Sequence, residues 1–186
     1  MNRFLPLTVL LLCNIQLASQ PANTNPGVGQ PPTATAPRFE QRIQLDGKLD
    51  EAIWYLGKPA DEFWETFPSD TARCGQKTEI YFGYDDNNLY VGAKCYSLGD
   101  DYVITSLRRD FRAGGNDNIT FLFNTFRDKT NAIVFGMNPF GVTREALIYN
   151  GGESGGDFRE EWDNKWQGES YRGEGYWSCE MIIPFS

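Results

Sequence analysis

The chain has 186 residues, a net charge of −8 and 15% aromatic residues, and it contains no histidine. An acidic chain without a basic cluster argues against nucleic acid as a partner, because phosphate binding needs Lys and Arg on one face. The missing histidine removes Ser-His-Asp and Cys-His catalysis and most zinc chemistry, which leaves an oxygen-liganded cation such as Ca²⁺ as the metal to consider.

Residues 1–19 read as a signal peptide: Arg3 supplies a positive start, Phe4 to Cys13 is apolar, and Leu17-Ala18-Ser19 offers small residues for cleavage. The apolar run is too short for a permanent membrane helix. An exported protein is therefore expected, in the bacterial periplasm, at the outer membrane or outside the cell, and not itself membrane-spanning. Residues 20–38 are rich in Pro, Thr and Asn and read as a disordered linker. Residues 39–186 form the expected domain. Asp50 to Trp54 is a candidate short helical turn capped by Asp50.

The span 77–96 reads as a hairpin. Ile80, Phe82 and Tyr84 alternate on one face, Asp85-Asp86-Asn87-Asn88 supplies the turn, and Leu89, Val91, Ala93 and Cys95 alternate in the return strand. Residues 117–126 carry apolar side chains on both faces, which predicts a central strand. Further strands are expected at 131–138, 142–149, 164–171 and 176–183, with a glycine-rich acidic loop at about 150–161. Short strands without a βαβ pattern predict an all-β fold, an antiparallel β-sandwich with minor helix. Cys74, Cys95 and Cys179 contain no CxxC pair; Cys95 and Cys179 read as buried thiols, with one disulfide left open as an alternative. The apolar run into Ile183-Pro184-Phe185-Ser186 suggests that a longer protein continues beyond it.

Several segments together resemble the family 9 carbohydrate-binding modules, within the DOMON-like β-sandwich group. They are Leu45-Asp46-Gly47-Lys48-Leu49-Asp50-Glu51-Ala52-Ile53-Trp54, the Tyr84 to Gly92 hairpin, Arg108-Arg109-Asp110, Asn138-Pro139-Phe140-Gly141 and the run from Trp177 to the end. The chain is also similar to the N-terminal part of large bacterial envelope proteins, in which such a module precedes a C-terminal β-rich domain. The resemblance implies a sandwich of about ten strands, a polysaccharide or oligosaccharide as partner, often structural Ca²⁺, and a parent protein associated with glycan degradation.

Sugars stack their C–H faces on aromatic rings while polar side chains read the hydroxyls. Trp162 and Trp166, beside the acidic loop, are the first ring candidates, and Trp64 is the next; core packing is the competing reading for each. Arg108, Arg109 and Arg144 could donate to hydroxyls, or could form salt bridges with Asp110, Glu145 or the acidic loop. Asn138 could read a hydroxyl or shape the turn before Pro139. Asp85, Asp86 and Asp163 are the candidate Ca²⁺ ligands, although no EF-hand spacing is present. No motif singles out a pair of carboxylates for glycoside hydrolysis, so a non-catalytic module is expected. The alternative is a structural or interaction domain of an envelope protein, which predicts that Trp162 and Trp166 are buried.

Overall fold

The computed structural model describes residues 33–65, 72–125, 127–153 and 157–185. The strands are β1 (Thr78–Tyr84), β2 (Asn88–Tyr96), β3 (Ile119–Phe123), β4 (Ala132–Met137), β5 (Thr143–Ile148), β6 (Phe158–Arg159), β7 (Gln167–Gly173) and β8 (Tyr176–Pro184). They form two four-stranded antiparallel sheets, ordered β1-β2-β8-β7 and β3-β4-β5-β6. These eight strands among the described residues are fewer than the ten or so that the resemblance implies.

Period-2 alternation puts Ile80, Phe82, Val91, Ala93, Cys179 and Met181 of the first sheet against Phe121, Phe135 and Met137 of the second. The β1–β2 hairpin has the expected register, with Tyr84 opposite Leu89. Its turn is built by Asp85, whose Oδ1 accepts the backbone N–H groups of Asn87 and Asn88, each at 2.7 Å.

A second apolar cluster lies on the outer face of the first sheet. There Phe39, Ile43, Leu49 and Trp54 of the N-terminal segment cover Tyr81 and Tyr90. Gly47 makes this wrapping possible. Its φ is +82°, and a Cβ there would lie 2.6 Å from the carbonyl carbon of Ser170, so a residue with a side chain does not fit.

Four details differ from the sequence reading. The run expected as a central strand is an edge: among the described residues β3 pairs only with β4, and Leu122 on its outer face is 46% exposed. Asp50 is not a cap. The 3-10 helix Ala52–Leu56 is preceded by Glu51, which makes no side-chain cap bond and instead accepts the backbone N–H of Gln44. β6 falls inside the span read as loop. The last residues of the expected linker are docked: Thr35 N donates to Lys58 O, and Ala34 and Ala36 pack against the core. The expected signal peptide, residues 1–19, lies outside the described residues.

Cys74, Cys95 and Cys179 are free thiols, exposed, half-buried and buried respectively. Among the described residues no helix is long and apolar enough to cross a membrane.

Candidate functional site

The structure gathers four of the sequence-predicted residues around one buried carboxylate. β5 turns Glu145 into the sandwich interior, opposite Phe135 on β4. One Glu145 oxygen accepts the Asn164 backbone N–H at 2.9 Å and the Trp166 indole N–H at 3.1 Å. The other is ion-paired with Arg109, whose guanidinium also meets Asp163 at 2.5 Å and Asp110 at 3.3 Å. Asp110 in turn accepts the Glu145 backbone N–H at 3.1 Å; burial raises its carboxyl above the ordinary value, against the pull of Arg109. Trp162 and Trp166 are half-buried, with ring centroids 6.0 and 5.2 Å from that of Phe135. Much of the hydrogen-bonding capacity at this rim is spent within the protein.

The other predicted residues lie apart. Arg108 is exposed. Arg144 projects from the outer face of the second sheet, not toward Glu145. Asn138 is fully buried, and its Oδ1 accepts the N–H groups of Phe140 and Val142 at 2.9 and 3.0 Å, so it builds the Pro139–Gly141 turn. Trp64 is half-buried under the guanidinium of Arg73, 4.5 Å from the ring centroid.

The proposed Ca²⁺ ligands do not fit the ion. Asp85 is committed to the turn and to the Tyr90 hydroxyl at 2.7 Å. Asp86 holds Arg38 through two hydrogen bonds of 2.8 and 2.6 Å, and Asp163 holds Arg109. Internal donors, neutral for Asp85 and guanidinium for Asp86 and Asp163, thus use oxygens a metal would need, and no group of three potential ligands comes together among the described residues.

A cavity of about 410 Å³ at one end of the sandwich holds none of the residues nominated from the sequence for sugar binding. It opens where β1 begins, β2 ends and β3 begins, and its walls include Gln76, Asp101, Tyr102, Asp117, Asn118 and Trp177. Tyr102, half-buried, supplies ring surface, while Trp177 at the floor is 4% exposed and packs in the core. Gln76 and Asp101 make no side-chain hydrogen bond or ion pair among the described residues. Asp117 uses Oδ2 to accept the Val103 N–H at 2.7 Å. A ring beside uncommitted amide and carboxylate groups matches the chemistry of a polyol. No local motif marks this site, because its walls come from four strand ends and a connection far apart in sequence.

No family model matches the chain, and no curated protein is significantly similar to it. Among solved structures it is similar to a family 9 carbohydrate-binding module from Caldicellulosiruptor kristjanssonii in complex with cellotriose, at 13% identity and a TM-score of 0.53, over 81% of this chain and 67% of that one. A family 9 carbohydrate-binding module from the same organism in complex with glucose matches at 14% identity and a TM-score of 0.52, over 80% of this chain and 69% of that one. At such identities the likeness is one of fold: the chain has the β-sandwich of the family 9 carbohydrate-binding modules.

Proposed function

We propose that the domain is a non-catalytic glycan-binding module that attaches an exported parent protein, associated with glycan degradation, to a polysaccharide. The observation that carries this reading is the end cavity, where the half-buried ring of Tyr102 stands beside the side chains of Gln76 and Asp101, which have no partner among the described residues. The fold shared with modules solved in complex with cellotriose and glucose supports it. Glu145 is held by Arg109, Trp166 and Asn164 and is not poised as a general acid, in keeping with a module that does no chemistry. Trp162 and Trp166, nominated from the sequence, form a second candidate surface.

Titration with xylo- and cello-oligosaccharides, followed by tryptophan fluorescence and calorimetry, tests the proposal. Saturable binding that Tyr102→Ala weakens about tenfold or more, the scale of losing one stacked ring and its hydroxyl, is expected. Binding lost in Trp162→Ala and kept in Tyr102→Ala moves the site to the Arg109 rim. No binding by the folded chain overturns the glycan reading in favour of a structural domain, which the internal use of the Trp166 indole N–H would then explain.

A further inference from the structure

Arg144 is a buried cation that makes no ion pair among the described residues. It is 8% exposed. From β5 its side chain crosses β4 over Gly136 toward β3, where its single polar contact among the described residues is Thr120 Oγ1 at 3.4 Å. A guanidinium carries five N–H groups, so most of its donor capacity is unused. Glu160 and Asp110 act on it only at longer range. The contrast with Arg109 is sharp: that guanidinium, from the segment before β3, meets the interior-facing Glu145 of β5 and also Asp110 and Asp163.

The surroundings are shaped to hold the group. A Cβ on Gly136 would lie 2.9 Å from Arg144 Cγ and 2.7 Å from Thr120 Oγ1, so this mid-strand glycine keeps the passage open. The rings of Phe111 and Phe158 stand 5.8 and 5.7 Å from the guanidinium and restrict its rotation. Thr120 is itself fixed by donating to Asn118, a wall residue of the end cavity, at 2.8 Å. The result is a planar fork, desolvated and positioned, with no protein carboxylate in it. That is the geometry in which a bidentate carboxylate contact is strongest.

We propose that Arg144 receives the carboxylate of a uronic acid residue, so that the glycan this domain recognises is acidic. The inference rests on the glycan-binding reading and names the ligand class for it. A free small carboxylate offers the same charge, and the test separates the two sources.

The experiment is calorimetric titration of the full chain with trigalacturonate, cellotriose and sodium acetate. Trigalacturonate is expected to bind about tenfold or more tightly than cellotriose, the scale of one charge-assisted contact. Arg144→Met is expected to lose that preference while melting no lower than the parent, because removing an unpaired buried charge does not cost stability. Arg144→Lys, which keeps the charge and loses the fork, is expected to keep only part of it. Equal affinity for the two trisaccharides, or a preference that survives in Arg144→Met, overturns the proposal. So does displacement of trigalacturonate by an equal concentration of acetate, which would show that the sugar plays no part. Cellotriose binding without preference defeats only the acidic reading, whereas no binding of either sugar defeats the glycan reading as well.

Discussion

Trp54 donates its indole N–H to Glu180 across the outer face of the first sheet, at 3.0 Å. The second oxygen of Glu180 accepts the backbone N–H groups of Asp46 and Gly47 at 2.9 and 2.8 Å. A fully buried carboxylate on β8 thus fastens the Asp46-Gly47 turn and the 3-10 helix to the sheet. The residues that carry the family resemblance at the start of the domain and those at its end are two halves of one hydrogen-bonded unit. Glu180→Ala strands three buried donors and is expected to cost about 3 kcal/mol or more, read as a lowered urea midpoint. Glu180→Gln keeps one acceptor oxygen and is expected to cost less. Equal midpoints for all three proteins would refute this role.

Two carboxylates give stability opposite dependences on pH. Burial holds the Glu180 carboxyl above its ordinary value, against the N–H groups of Gly47, Asp46 and Trp54. The folded state therefore retains a proton that the unfolded chain has released, and this contribution falls as pH rises from the ordinary carboxylate range through the folded value. Asp85 behaves the other way. Partial burial opposes its ionisation, but the Tyr90 hydroxyl and the Asn87 and Asn88 N–H groups outweigh it and bring the value to about 2. Its contribution is present above the ordinary carboxylate value and is lost as pH falls toward 2. Asp85→Asn is expected to flatten the acid limb of a melting-temperature profile between about pH 4 and 2. An unchanged acid limb would rule this out.

Arg109 and Glu145 act as a pair. Arg109→Met leaves a buried carboxylate with only its two N–H donors, at an expected cost of about 3–5 kcal/mol. Glu145→Gln in the same chain removes the stranded charge, so the double variant is expected to be more stable than Arg109→Met alone. A double-mutant cycle by chemical denaturation measures the coupling, and simple additivity would show that the two do not act together.

The thiols are expected to react in two classes. Burial pushes Cys95 up to about 12 and raises Cys179 well above the ordinary thiol value, so neither supplies thiolate near neutrality. Cys74 is exposed. A chromogenic disulfide reagent should label one of these three thiols quickly and the other two only as the protein unfolds. Rapid labelling of two thiols would contradict the packing of β2 and β8.

Alternation of apolar residues made the β1–β2 hairpin and the β4, β5 and β8 spans legible from sequence, because a strand that buries one face must repeat every two residues. The buried Cys179 and the Asp85 turn were legible for similarly local reasons. β3 misled because apolar side chains on both faces look alike in a central strand and in an edge strand that leaves Leu122 in solvent. β6, two residues long, was hidden because it exists only by pairing with β5.

Sequence alone determined the class of fold and several segments of the family resemblance, since both rest on spacing along the chain. It could not decide which charged residues pair. Arg108, Arg109 and Arg144 look interchangeable in sequence, yet one is exposed, one bridges three carboxylates and one lies buried beneath aromatic rings with no ion pair among the described residues. Only the tertiary structure made that distinction, because a guanidinium's partners are set by the sheet face it projects from and by what the connecting segments bring over that face.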